Sequence, residues 1–308
     1  MITLFGKRIS DALNSYKPFR ELVARVQAGE WPVNVRAAAS GLQPFLLWNL
    51  QQRINRPFLI VTPTDQEANE LADNLSRIGG TPAIFEHWNT VPCKPAPENS
   101  TAFGRRSRLL DELVACRHDT VVAGLRAART ILPTPEQFSG WRRTFHVGDD
   151  LDPTAIAETL SQIGYQRVPT ASVRGEFSVR GEVLDIMPPA GENGVRFTFG
   201  FDGVEEIRSY DPGSQSTIEK LSSADIFPVR EVVWDDATLQ TLRENASELS
   251  ELAAYAEQIV DDLATRGYRD DEHLFYPLAL SEQASILDYL PENAVVVFTD
   301  LDRARAGS

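Results

Sequence analysis

Three short apolar runs constrain this chain more than any other feature: Pro57–Thr62 (PFLIVT), Thr120–Ala123 (TVVA) and Ala294–Thr299 (AVVVFT). Unbroken apolarity over four to six residues, rich in β-branched side chains, suits strands buried on both faces, as in a parallel sheet covered by helices. After the first run Asp65 stands where a helix cap belongs, and Ala68, Leu71, Ala72 and Leu75 follow at helical spacing. A second helical stretch, Arg105 to Cys116, leads into the second run. Strand alternating with helix predicts an α/β layer. Trp88 to Ser100, with Pro92, Pro95 and Pro97, reads as loop, because proline is excluded from helix interiors and central strands.

The third run lies far downstream, and the sequence between has a different grammar. Pro133 and Pro135 break the periodicity over Leu132 to Ser139. One helix, Pro153 to Ile163, then precedes strand-like runs at Glu176–Met187, Val195–Gly200 and Val204–Tyr210, the last two joined by a Phe201-Asp202-Gly203 turn. This stretch predicts a small α+β domain with an antiparallel sheet. Beyond it, Leu239, Leu242, Ala246, Leu249, Leu252, Ala253, Ala256, Ile259, Val260 and Leu263 recur at steps of three and four, predicting one long amphipathic helix. A second helix ending near Tyr289 leads to AVVVFT, which is expected to return to the first sheet and make the middle domain an insertion.

Length, charge and cysteine content narrow the function classes. The 308 residues predict two domains, or one interrupted by another. Apolar residues make up 42% of the chain, which excludes wholesale disorder. Cys93 and Cys116 show no Cys-x-x-Cys pair, which excludes the usual zinc spacings and a disulfide framework and makes a reduced cytoplasm the expected compartment. No stretch has the length of a membrane span, and Met1 to Ser10 lacks an apolar signal core. A net charge of −14 argues against nucleic-acid binding through overall charge. That charge is uneven: Met1–Phe138 carries 16 basic and 13 acidic residues, Ser139–Arg230 carries 9 and 14, and Glu231–Ser308 carries 5 and 17.

Motifs for catalysis are mostly missing. His87, His118, His146 and His273 share no metal-ligand spacing, and no Gly-x-Ser-x-Gly elbow is present. A nucleotide site fails in an ordered way. A P-loop needs glycines that open backbone N–H groups to phosphate, a lysine for the β/γ-phosphates and a hydroxyl for Mg²⁺. In the corresponding place stands Val35 to Pro44, where Ser40 and Gly41 remain, Gln43 replaces the lysine and Pro44 replaces the hydroxyl. After the last strand, Asp300 is followed by Leu301 where a motor ATPase would have Asp-Glu. The expected fold is therefore α/β: a parallel-sheet, P-loop-like domain with a degenerate nucleotide site, interrupted by the small α+β domain. The expected boundaries are 1–138, 139–230 and 231–308. No cofactor, metal or catalytic residue is expected.

Val173 to Pro188, VRGEFSVRGEVLDIMP, resembles the signature R-G-x-F-x-V-R-G-x-x-x-D-I-F-P shared by the excision-repair protein UvrB and by Mfd, the transcription-repair coupling factor. Ile286 to Pro291, followed by AVVVFT and Asp300, is similar to the pattern in which a DYFP helix end leads to a Walker B strand. The resemblance covers nearly the whole chain in a domain 1a, domain 2, domain 1b order. Two departures favour the UvrB-like module of Mfd over UvrB itself: the lost P-loop, and Trp88 to Pro92 in place of a tyrosine-rich DNA-clamping hairpin. The resemblance implies that domain 2 binds UvrA and that this module delivers UvrA to stalled RNA polymerase. DNA contact here would be weak or absent. In that family the rest of the polypeptide supplies RNA polymerase-binding and translocase domains and a carboxyl-terminal domain that masks the UvrA face; whether this chain is a fragment or free-standing stays open. The alternative is a UvrB-like damaged-DNA-binding ATPase subunit.

Carried over residue by residue, the implied UvrA contacts are Arg167, Arg180 and Leu184, with Arg174 and Phe177 beside them and Arg196 and Arg208 as weaker candidates. On a regular strand Phe177, Val179 and Val183 would share one face and Arg180, Glu182 and Leu184 the other. That places Arg180 and Leu184 together on the exposed side, with Glu182 or Glu176 as the ion-pair partner a merely structural Arg180 would have.

Overall fold

The computed structural model describes residues 2–36, 40–88, 101–189, 192–269 and 271–306. Helices α1 (Ile2–Ser15), α2 (Lys17–Gln27) and α3 (Gln43–Ile54) lead into β1 (Phe58–Thr62), α4 (Asp65–Arg77) and β2 (Ala83–Phe85). There follow α5 (Thr101–Val114), β3 (Thr120–Gly124), α6 (Leu125–Ala128), α7 (Pro135–Trp141), β4 (Arg143–His146) and α8 (Pro153–Gln162). Seven strands come next: β5 (Gln166–Arg167), β6 (Glu176–Arg180), β7 (Val183–Ile186), β8 (Gly194–Gly200), β9 (Gly203–Tyr210), β10 (Thr217–Leu221) and β11 (Ser223–Ile226). The order ends with α9 (Asp236–Glu248), α10 (Ala256–Arg266), α11 (Tyr276–Ala279), β12 (Val295–Phe298) and α12 (Leu301–Ala306). The chain gathers into two units, one made of Met1–His87, Ala115–Arg129 and Leu290–Ser308, the other of Trp88–Val114 and Thr130–Tyr289. Among the described residues no helix is long and apolar enough to cross a membrane.

The first unit holds a parallel sheet in the order β12-β1-β3-β2. Every residue of β1 and of β3 is buried, as their unbroken apolar runs require. Phe58 stands opposite Thr120 on β3 and opposite Val295 on β12, so the AVVVFT run does return to the first sheet. Phe58, Ile60, Val122 and Val295 pack with Leu71 and Leu75 of α4, Leu47 and Leu50 of α3, and Phe19 and Val23 of α2. Each such side chain contributes about 1.5–3 kcal/mol on burial. The cap of α4 is Thr64, one residue before the expected Asp65: its backbone is extended, and its hydroxyl accepts from the Glu67 amide at 3.2 Å. Asp65 then complements the positive end of the helix from the first turn.

The second unit is built on a six-stranded sheet in the order β10-β9-β8-β7-β6-β5, antiparallel except where β5 runs parallel to β6. A two-stranded sheet pairs β11 with β4. Phe177, Leu184, Ile186, Phe197 and Ile207 have no exposed surface, and Phe145 of β4 meets Phe197 edge-on at 5.8 Å. Helix α8 packs beside β5 and β6, burying Ile156, Ala157 and Leu160. Helix α5 belongs to this unit through Arg106, which is buried against Glu231, donates to Thr130 Oγ1 at 2.8 Å and lies 4.4 Å above the Trp88 ring. Gly104 permits its close approach to the sheet's end loop, since a Cβ there would sit 2.2 Å from the Pro189 carbonyl oxygen.

Two expected elements differ. The long helix over 239–263 is two helices, α9 and α10, broken across Leu249 to Tyr255. They pack on each other, with Leu242 and Ala246 buried on one and Ile259, Val260 and Leu263 on the other, and Arg243 Nε donates to Glu257 at 3.0 Å across the pair. Folding back hides both halves of a stripe that one straight helix would leave on its surface. The helix expected to end near Tyr289 is a set of short turns, Glu272–Leu274, α11 and Ile286–Tyr289. Of the expected Trp88–Ser100 loop, all but Trp88 lies outside the described residues.

Candidate partner-binding face

Strands β6 and β7 form a hairpin whose turn is the two residues Gly181 and Glu182, with Arg180 opposite Val183. Gly181 has φ +61°, the positive value that favours glycine at the first central position of such a turn. The sequence expectation treated Glu176–Met187 as one strand, and the turn changes its faces. Chain reversal places Val179 opposite Leu184 and Phe177 opposite Ile186. Leu184 therefore joins Phe177 on the inner side, each 0% exposed, and neither offers a contact surface. Val183 falls on the other face with Arg180.

That other face is polar and follows the register of five strands. Ser178, Asp185, Arg196, Arg208 and Lys220 are successive cross-strand neighbours from β6 to β10. In the adjacent row stand Arg180, Val183, Thr198 and Glu206. Arg180, half exposed, donates from Nη2 to Asp185 Oδ2 at 2.7 Å. Its carboxylate partner is thus Asp185 rather than Glu182 or Glu176. Arg196 grips the same carboxylate with both arms, Nε to Oδ1 at 2.6 Å and Nη2 to Oδ2 at 3.0 Å, and lies 4.5 Å above the Tyr210 ring. A buried carboxylate bonded to two guanidinium groups anchors both, and half of the Arg180 side chain stays exposed.

The other expected contacts are placed differently. Arg167, on edge strand β5, is exposed and paired in register with Phe177 of β6. Arg174 is also exposed and lines a cleft of about 310 Å³ together with Phe103, Glu176, Pro189, Arg230 and Tyr268. Deeper in the unit, Glu272 accepts from Tyr276 Oη at 2.8 Å and pairs with Arg230 at 3.2 Å; desolvation pushes its carboxyl above the usual range despite Arg230.

In the first unit, Ser40 to Leu42 form a single 3₁₀ turn and Gln43 and Pro44 begin α3, Pro44 within its first two positions. Proline is at home there because a first-turn N–H has no helical acceptor. Helices α1 and α2 precede this turn, where a P-loop would follow a strand; residues 37–39 lie outside the described residues. Asp300 follows β12 and caps α12, its Oδ1 accepting from the Arg303 amide at 3.0 Å. These side chains do not fit a magnesium nucleotide: the cation and the hydroxyl that would hold it are a glutamine and a proline.

Residues 144–231, which contain the whole six-stranded sheet, match the UvrB interaction domain. The chain is 26% identical over 270 residues to the transcription-repair-coupling factor of Bacillus subtilis strain 168, covering 82% of this chain and 23% of the relative. It is 30% identical over 232 residues to the factor of Myxococcus xanthus, covering 72% and 19%. The chain is a UvrB-like module of the transcription-repair-coupling factor kind. The module is also similar to UvrABC system protein B of Thermotoga neapolitana, 27% identical over 219 residues that cover 66% of this chain and 33% of the relative. It spans about a fifth to a third of the length of these curated relatives.

Sequence reasoning singled out Arg180 but did not pair it with Asp185. The aspartate was inside the quoted signature, five residues after Arg180. Only the hairpin register shows that those five residues bring the two side chains together.

Proposed function

We propose that the module is a non-catalytic recruiter: it binds UvrA through the polar face of its six-stranded sheet and, as part of a longer coupling protein, delivers UvrA to RNA polymerase stalled at a lesion. The observation that carries this reading is the half-exposed Arg180 guanidinium, held by a buried Asp185 within the domain that matches the UvrB interaction domain. A half-exposed guanidinium so fixed is suited to bidentate capture of a partner carboxylate. Arg167 and Arg174 supply further positive charge, while Phe177 and Leu184 support the hairpin from behind. If the chain is a fragment of such a protein, DNA translocation and polymerase binding fall to its other domains, and its carboxyl-terminal domain is the candidate cover for this face. The three-part division at 138 and 230 belongs to the same reading.

Calorimetric titration against purified UvrA tests the proposal, and absence of binding by the intact module would contradict it. The similarity to UvrABC system protein B favours a second reading, a UvrB-like ATPase subunit that contacts damaged DNA. Titration with Mg-ATP separates the two: Gln43 and Pro44 lead us to expect no binding, and micromolar affinity would support the second reading.

A further inference from the structure

The turn between β8 and β9 holds one apolar side chain wholly in solvent: Phe201 is 104% exposed. A lone exposed aromatic is ordinary on a protein surface, but the backbone beneath this one is fixed. Gly200 stands opposite Gly203 in the register, so the ring projects between two residues that have no side chain to cover it. Gly203 has φ +110°, and a Cβ there would sit 2.1 Å from the Asp149 carbonyl oxygen. Beside that contact the Val204 amide donates to the Asp149 carbonyl at 2.9 Å and the Gly148 amide donates to the Val204 carbonyl at 2.7 Å. Four acidic residues stand around the turn. Asp202 is its second residue, and the Glu182 carbonyl accepts from the Phe199 amide at 2.9 Å. The Asp150 Cα lies 3.0 Å from a Cβ placed on Gly203, and the Glu205 carboxylate lies 3.4 Å from one placed on Gly200. None of the four has an ion-pair partner among the described residues.

The first unit offers the complement. A groove of about 450 Å³ opens beside α2, lined by Phe19, Leu22, Val35 and Leu46, with Arg25 and Arg36 among its walls. Val35 is 51% exposed there. Arg25 donates to Glu30 at 2.9 Å, whereas Arg36 has no ion-pair partner among the described residues. Residues 1–56 carry eight basic side chains against three acidic ones, on a chain of net charge −14. We propose that the two features meet between molecules: Phe201 of one copy of this chain enters the α2 groove of a second copy, with the acidic turn facing the cationic rim. An aromatic ring in an apolar groove supplies the affinity, and the opposed charges supply the alignment. The fixed backbone of the turn lowers the ordering cost of binding. A nucleic acid or an anionic membrane is a poorer occupant, because the carboxylates around Phe201 repel phosphate. Turn and groove are different patches, so the contact is heterologous: each copy offers one of each, and association closes as a reciprocal pair or continues as a chain.

The test is analytical sedimentation of the whole chain over a concentration series, with a melting curve for each variant. We expect the wild type to self-associate, and to do so more weakly as salt rises. Phe201→Ser removes the ring, and Val35→Glu puts a charge in the groove; each should weaken association roughly tenfold or more at unchanged melting temperature. Phe201→Ser keeps the groove and Val35→Glu keeps the ring. Mixed in equal amounts, the two variants should therefore pair with each other and stop at a one-to-one complex. Arg36→Glu serves as the groove variant if Val35→Glu melts early. A wild-type chain that stays monomeric at every concentration overturns the proposal, as does association that survives both Phe201→Ser and the groove variant. Association of the wild type without pairing in the mixture overturns the heterologous contact. None of these readouts involves UvrA, so their failure leaves the reading of the Arg180 face standing.

Discussion

Leu184 and His273 show how single side chains carry consequences that their residue types alone do not reveal. Leu184 is fully buried behind the hairpin, so Leu184→Ala is a packing change that should cost about 2–5 kcal/mol. Urea unfolding measures it; an unaltered midpoint would contradict the burial, and UvrA affinity of the folded protein should hold. His273 lies against Trp88 at 5.2 Å and near Phe103, where burial pushes its imidazole below the ordinary value, outweighing Asp271 and Glu231. A depressed folded value means that the neutral form is favoured by folding, so its contribution is complete above about pH 6.5 and is lost as pH falls below that. We therefore expect melting temperature to drop between pH 7 and pH 5 and His273→Gln to flatten the slope; identical slopes would refute the assignment. Arg180 was legible from the signature, whereas its hold on Asp185 was not, because that pairing depends on a register no linear spacing encodes.

Among the elements, β1 and β3 were legible because a strand buried on both faces has a recognisable composition; β12 joins the same sheet but at its edge, where Val296 and Phe298 are exposed, so its apolar run did not mean burial on both faces. Helix α4 was legible too, save for its first residue. Thr64 and Asp65 are both good caps, and the choice fell to Thr64, whose hydroxyl reaches the Glu67 amide. Thr64→Ala should lower stability by about 1 kcal/mol, read as a shift in denaturation midpoint, while no shift would return the cap to Asp65. The pair α9 and α10 was not legible, since a three-four apolar repeat is identical for one helix and for two that fold back on each other. The Gly181-Glu182 turn was hidden for a related reason: a strand-like run reads the same with or without a reversal in it.

At the scale of the molecule, charge is sorted by role. The acid excess lies mainly in Glu231–Ser308, and two of its carboxylates, Glu231 and Glu272, are buried partners of Arg106 and Arg230 rather than surface charge. The sheet that matches the UvrB interaction domain does the reverse, setting four cations in order on one face of an acidic chain. Net charge thus described the chain and misdescribed this face of the sheet. The central proposal is that this face binds UvrA through Arg180. Titration of purified UvrA with the wild-type chain and with Arg180→Glu, at matched melting temperature, tests that claim most directly. Measurable binding by the wild type and at least a hundredfold loss in the variant are the expected results; equal affinity for the two would contradict the account.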